Sequence, residues 1–546
     1  MSNPPPSGPS RGGRPPRRAG YPASSAASTP VPGQVVEERR AGADERVLTP
    51  QMLRLAAVVV LGAIMTILDA TIINVGLTTL GNEFGTSIAT VQWVSTIYLL
   101  AFASVIPLTG WASERFGAKP LWLGSLALFV LGSLLAGLAW SIGALIAFRA
   151  LQGLAGGMIM PIGQTILARA AGPRRMGRVM SIVGVPMLLA PIFGPVIGGA
   201  IVGAASWRWM FFINLPVGAL ALLLAARLLP AVPRRPSEPL DTRGLLLLCG
   251  GVAIFVYGLA ETGRQGTLTA APPLILLLAG LVLIALFVWH ALRADHPLID
   301  VRLFAQRGFA TAAATNLVLG IALFGAALLP PLYFQIVRGE SPLHTGLLMI
   351  PQGLGAACVI TLAGTATDKL GARRVVPVGV LLALVGAAAY TRIGAHTPYW
   401  YLAAALFLIG AGLGATITPS MAVAYRHLAR QAVPRATSAI NVVQRVAASL
   451  GTALLAVVLQ ASIDSRLPGL HGIGQAATLA AHQGEPVTTQ LAGAFATTFW
   501  VTLALTAAAL LPAMLLPGRP QPQPPHLKSA QPTPVPAGLT QRKQHS

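Results

Sequence analysis

Asp69 stands inside an unbroken apolar run, Ile64-Met65-Thr66-Ile67-Leu68-Asp69-Ala70-Thr71-Ile72-Ile73-Asn74. Nearly all of the other acidic residues fall in tails, loops or helix ends. A carboxylate at membrane depth costs about 2.5–3.5 kcal/mol to insert, so it normally faces a cavity or a partner. Desolvation disfavours its charged form, which lets such a group take and release protons near neutral pH. Two cations are placed in the same way. Arg149, in Ala147-Phe148-Arg149-Ala150-Leu151-Gln152-Gly153, is the natural partner, and Gln152 one turn on shares its face. Arg445 follows Asn441 and Gln444 in a later run and has no acid on its own apolar run. It either lines a cavity or bonds carbonyls. Asp69 with Arg149 has two readings: a site that handles protons or cationic substrate, or a fixed structural ion pair. In the first, protonation changes the local field and biases the chain between two states.

Other chemistries lack their residues. No Gly-x-x-x-x-Gly-Lys-Ser/Thr loop is present to cradle ATP, and the nine histidines lie in loops, tails or helix ends with no metal-ligand spacing. Cys249 and Cys358 sit in separate apolar runs and read as small core residues. No nucleophile–base constellation stands out, so the expectation is no enzyme, no cofactor and no metal. Work would then be driven by an ion gradient, where a proton crossing 100 mV gains about 2.3 kcal/mol.

These residues must be held by helices in lipid. The chain has 546 residues, 54% of them hydrophobic and 10% charged, with a mean hydropathy of +0.68. Soluble domains carry about a quarter charged residues, so a bilayer is the solvent here. The net charge of +22 is spread between apolar runs and in the tails, which excludes nucleic acid as a partner. A window of about 20 apolar residues finds fourteen runs, centred near residues 64, 100, 130, 155, 190, 220, 251, 282, 320, 355, 384, 411, 448 and 504. Even-numbered connections hold about 19 Lys and Arg against about 5 in the odd-numbered ones, which places the even connections and both termini in the cytoplasm. No cleavable signal peptide is expected, because the first apolar run begins late and is too long.

An internal repeat divides the runs. Gly110-Trp-Ala-Ser-Glu114-Arg115-Phe-Gly117-Ala118-Lys119 recurs as Gly364-Thr-Ala-Thr-Asp368-Lys369-Leu-Gly371-Ala372-Arg373, each at the end of an apolar run. Two related six-helix bundles follow, with two further helices inserted between them. The expected organisation is a disordered tail over 1–52, a first bundle over 53–231, an inserted hairpin over 232–296, a second bundle over 297–518 and a second disordered tail over 519–546. The fifth run, Gly184-Val-Pro186-Met-Leu-Leu-Ala190-Pro191-Ile-Phe-Gly194-Pro195-Val-Ile-Gly198-Gly199, combines proline kinks with glycines that admit a close backbone. It suits either an interface that seals and reopens or plain tight packing.

Taken together, Leu68 to Val75, the two loop motifs, Arg149 to Gly153, the Pro/Gly run and Ser206-Trp207-Arg208-Trp209-Met-Phe211-Phe-Ile-Asn214-Leu-Pro216-Val-Gly218 resemble the major facilitator superfamily. Within it, with Gln92, Trp93 and Tyr98, they resemble the fourteen-helix drug:proton antiporters of the EmrB and QacA type. The resemblance covers about residues 53–518. It implies an all-α polytopic membrane protein with the major facilitator fold: two six-helix bundles, a central two-helix insertion and fourteen transmembrane helices. It assigns proton coupling to Asp69 and Arg149; together with the reading of Arg445 above, the expected substrate cavity comprises Asp69, Asn74, Trp93, Tyr98, Gln152 and Arg445. A cytoplasmic gate would use Gly110, Glu114, Arg115, Gly117, Lys119 and Asp368, and an antiporter motif Pro191, Gly194, Pro195, Gly198 and Gly199. Departures include Glu114 for the usual Asp, Ala118 and Ala372 for a basic residue, Ala190 for a glycine, and Arg445 for an uncharged polar residue.

The implied activity is proton-coupled export of small amphipathic drugs across the cytoplasmic membrane by alternating access. A lone membrane carboxylate would favour lipophilic cations. A dedicated exporter of one natural product or antibiotic shares all these motifs, and an uptake symporter is disfavoured by the fifth run. Any accessory protein is left unspecified.

Overall fold

A computed structural model describes residues 49–73, 76–230, 239–266, 270–426, 432–467 and 485–517. Both tails, Asn74, and the side chains of Pro186, Pro191, Pro195 and Asp368 lie outside the described residues. Among the described residues every regular element is a helix. Lipid offers no partner for backbone amides, and helices satisfy them internally.

The first crossing, α1 (Pro50–Ile72), starts where Thr49 accepts the Met52 amide at 3.3 Å and Pro50 occupies the first turn. Then come α2 (Ile88–Val105), α3 (Leu108–Arg115), α4 (Ala118–Gly137), α5 (Ile142–Ala204) and α6 (Asn214–Leu228). Ser87 and Ser141 cap α2 and α5 by accepting amides three residues on. The inserted pair is α7 (Thr242–Gln265) and α8 (Ala271–Arg293). The second bundle holds α9 (Arg307–Ala326), α10 (Ile350–Leu370), α11 (Ala372–Tyr390), α12 (Tyr399–Arg426), α13 (Val433–Asp464) and α14 (Glu485–Ala508).

Among the described residues twelve helices are long and apolar enough to cross a membrane, and a thirteenth crossing is the α2–α3 pair, bent by 57°. Pro107 sits at that bend, where its ring removes an amide donor. Helix α5 has 63 residues and would run about 95 Å if straight, far more than a bilayer core. Its neighbours along α1 show that it turns back. Arg149 meets Asp69 and Gly163 abuts Val59, whereas Gly194 and Gly198 abut Thr71 and Ile72. The second limb therefore returns alongside α1, an arrangement compatible with fourteen crossings.

In the first bundle α5 packs on α1, α2 and α4, and in the second α12 packs on α10 and α11 while α13 packs on α9. Trp122 on α4 is fully buried against Gly62 and Gly163, with its indole N–H donating to Ile159 O at 3.1 Å. The inserted α7 touches both bundles. Its Tyr257 ring lies 5.6 Å from Trp93 on α2, and its end packs on Ala453, Ala456 and Gln460 of α13. By contrast α8 is mostly exposed and apolar, as a lipid-facing helix must be.

The repeat is visible in the backbone. Gly117 has φ 87° and Gly371 has φ 84°, and each opens the helix that follows. Only glycine takes that conformation without strain, which explains the glycine at the same register in both motifs.

Candidate functional site

Asp69, near the end of α1, is enclosed by α2, α4, α5 and the start of α6. Arg149 lies about 10 Å along α5 from its start. The site is therefore closer to the membrane face opposite the loop motifs than to the middle. The Asp69 carboxylate is fully engaged. Its Oδ2 accepts from Arg149 Nη1 at 2.5 Å, and its Oδ1 accepts from Gln152 Nε2 at 2.9 Å and Asn214 Nδ2 at 2.8 Å. Ser133 Oγ on α4 accepts from the same two amides, at 2.5 and 3.1 Å. The Asp69 residue is 3% exposed, and Arg149 and Gln152 are 0%.

The guanidinium is held from several directions. Arg149 Nε donates to Val94 O at 3.2 Å, and Nη1 also donates to Gln152 Oε1 at 2.7 Å. The Tyr98 ring lies beneath it, 4.1 Å from Cζ, and the Phe211 ring at 5.7 Å. Its Nη2 has no partner among the described residues. Tyr98 donates its hydroxyl to Thr66 O at 3.1 Å, which fixes the ring. A buried ion pair of this kind is stable only because hydrogen bonds satisfy the remaining lone pairs. Neutralising either member would unpair the other.

The antiporter run packs beside this site. A Cβ at Gly194 would lie 1.9 Å from Thr71 Oγ1, and one at Gly198 would lie 3.0 Å from Ile72 O. Thr71 and Ile72 follow Asp69 by less than a turn. Gly199 faces open space. Thus two of the three motif glycines admit α1, and the third does not.

At the opposite end, the first loop motif reaches the second bundle. A Cβ at Gly110 would lie 3.0 Å from Arg435 Cα, Thr109 Oγ1 lies 2.7 Å from Ser438 Oγ, and Glu114 pairs with Arg435 at 3.2 Å. One turn deeper Asn441 donates to Gln164 at 2.7 Å. Residues 436–440 of α13 are all buried, whereas 441–446 are all half-buried. The two bundles are therefore sealed together on the loop-motif face. Lys119 donates to Ala226 O at 2.8 Å, near the C-terminus of α6, so it secures a helix end inside the first bundle. Arg115 is exposed.

The residues expected to line one cavity fall in three settings, two of which adjoin where the Tyr98 and Phe102 rings lie 6.0 Å apart. Asp69, Gln152 and Tyr98 belong to the closed network around Arg149. Trp93 is 39% exposed against Tyr257 of the inserted hairpin. Arg445 is half-buried with its Cζ 4.5 Å from the Phe102 ring, on the seam between bundles. Two members of the Asp69 network, Ser133 and Asn214, escaped the reading of the sequence as site residues. Asn214 carried a signal, a lone amide following Phe211-Phe212-Ile213. Ser133 carried none, because small hydroxyls are common in membrane helices. No group of three potential metal ligands occurs among the described residues.

A sequence profile described as Major Facilitator Superfamily matches residues 59–452. The chain is 40% identical over 488 residues to a protein of Mycobacterium tuberculosis named multidrug resistance protein B homolog, covering 85% of this chain and 90% of that one. It is 31% identical over 402 residues to the multidrug export protein EmrB of Haemophilus influenzae, covering 72% and 78%. In fold it is similar to the crystal structure of a double-tryptophan XylE mutant, with a TM-score of 0.60, 15% identity, and coverage of 86% and 97%.

Proposed function

Because this chain belongs to the major facilitator superfamily, we propose that it is a proton-driven multidrug exporter, moving small amphipathic compounds outward by alternating access. Relatives named for multidrug resistance and export support the substrate class. Positive-charge alternation supports a multi-pass topology in the cytoplasmic membrane with both termini and the loop-motif face in the cytoplasm. On that assignment the sealed face is the one from which substrate must load, and the described conformation is closed to the cytoplasm.

The observation that carries the coupling is the sealed Asp69–Arg149 pair, which ties α1 to α5. A proton arriving on Asp69 cancels its charge and leaves Arg149 without a counterion. Removing one member of a buried pair costs about 3–5 kcal/mol. Inverting a two-state population from 1:99 to 99:1 needs about 5.5 kcal/mol, so one protonation is of the right order to drive the change. Gly194 and Gly198 place the second limb of α5 on Thr71 and Ile72, beside the Asp69–Arg149 pair, so a shift of α1 is felt there directly. Glu114, Arg435, Thr109 and Ser438 form the cytoplasmic latch that must part for loading.

The test is substrate-driven proton release from inverted vesicles. Asp69→Asn should abolish it while leaving substrate binding in place. Proton release equal to wild type in that variant would overturn the coupling assignment.

A further inference from the structure

We propose that Arg445 is the charge-recognising residue of the substrate site, and that it selects amphipathic anions, molecules with an apolar aromatic body and a carboxylate or sulfonate. This rests on the exporter reading above and names its substrate class. It reverses the expectation that a membrane carboxylate would draw cations.

The reversal follows from where the charges stand. Asp69 is sealed, its oxygens are taken by three donors, and Arg149 cancels its charge. A cation could reach it only by expelling a guanidinium held by Val94 O and Gln152. Arg445 is the opposite case. It lies about 18 Å along α13 from Val433, so it is deep in the membrane, and among the described residues no carboxylate pairs with it. An arginine does not deprotonate to escape this position. An uncompensated cation at that depth is costly, and an incoming anion removes the cost.

Its geometry suits that role. The guanidinium lies over the Phe102 ring with Cζ 4.5 Å from the centroid, and a guanidinium resting on a ring keeps a planar fork of donors that can make two parallel bonds to a carboxylate or sulfonate. The neighbouring amides are engaged elsewhere: Gln444 Nε2 donates to Asn316 Oδ1 at 3.3 Å, and Asn441 Nδ2 to Gln164 Oε1 at 2.7 Å and Thr437 O at 2.8 Å. The position also lies within the half-buried stretch 441–446, one turn beyond the sealed residues 436–440. Arg445 belongs to the second bundle and Phe102 to the first, so a bound anion would bear on a contact that changes as the bundles rock.

The experiment uses the full chain in lipid nanodiscs and three probes with one aromatic body: 2-naphthylacetate, 2-naphthylacetamide and 2-naphthylmethyl-trimethylammonium. Wild type should bind the carboxylate tightest. Arg445→Gln should weaken the carboxylate about ten- to hundredfold, the size of a charged hydrogen bond, with the other two unchanged, and Arg445→Lys should restore part of the loss. Equal or tighter wild-type binding of the ammonium or the amide overturns the proposal, and this arm needs no variant to fold. Unchanged carboxylate affinity in Arg445→Gln overturns it as well. Asp69→Asn separates the two readings: it should retain carboxylate binding while losing proton-coupled transport. Carboxylate preference without any proton-coupled movement in wild type would sink the exporter reading alone.

Discussion

Thr71 occupies the notch left by Gly194: a Cβ there would fall 1.9 Å from its Oγ1. Thr71 cannot simply turn away, because its hydroxyl already donates to Ile67 O and Leu68 O at 3.1 and 3.0 Å. Gly194→Ala should therefore destabilise the protein by about 1–3 kcal/mol, the usual cost of overpacking, and lower transport. Gly199→Ala, which meets open space, should change neither. Melting curves in detergent with matched transport assays check both, and equal behaviour of the two variants would refute the packing argument.

Asn214 donates to both Asp69 and Ser133 from one amide. Asn214→Ala should cost about 1–3 kcal/mol, because it strips a donor from a buried charge. Asn214→Asp should be worse, since it brings a second carboxylate against Asp69. Thermal unfolding and substrate-driven proton release measure the two effects, and a benign Asn214→Asp would show that the site is wetter than described.

Thr109 and Ser438 touch across the bundle seam at 2.7 Å. In a background of Cys249→Ser and Cys358→Ser, the pair Thr109→Cys with Ser438→Cys should form a disulfide on mild oxidation. Transport should stop when the bond forms and return on reduction. Continued transport by the fully cross-linked protein would mean that this seam does not open.

Asp241 caps α7 and ties it to α8 and the segment after it. Burial opposes its charge, but the Gly244 amide, the His290 ring and the Leu298 amide outweigh that and hold its carboxyl below the usual carboxylate range. Since the folded protein favours the charged form, the contribution is present above the unfolded-state value near pH 4 and is lost as pH falls through the lower folded value. Asp241→Asn keeps an oxygen that can cap α7 but removes the charge, and should lower stability at pH 7 by about 1 kcal/mol, the difference between charged and neutral hydrogen bonds to His290 and Leu298, with the gap to wild type closing below about pH 4. Parallel melting series from pH 3 to 7, in steps of about one unit, would expose a gap independent of pH and so rule out the carboxylate.

Much of this was legible in the residues. The apolar runs forced helices, and the repeated Gly117 and Gly371 marked equivalent turns because their backbone angle excludes side chains. Asp69 and Arg149 were legible as partners because each is costly alone in lipid. Other features depend on distances between helices and leave no local trace. Ser133 looks like any small residue of a span, and Trp93 gives no sign that its neighbour is Tyr257 rather than a substrate. The difference between Arg445 and Asp69 is hidden for the same reason: both are charged, but only the Asp69 carboxylate has its partners in place. The bend at Pro107 was hidden because a hydropathy window ignores direction.

The inserted helix α7 leans on Trp93 of one bundle through Tyr257 and on α13 of the other through Gly263 and Gly266. A body braced against two moving walls cannot stay at rest relative to both. If the two halves rock as proposed, one of these contacts must slip, and the hairpin would then act as a strut between them.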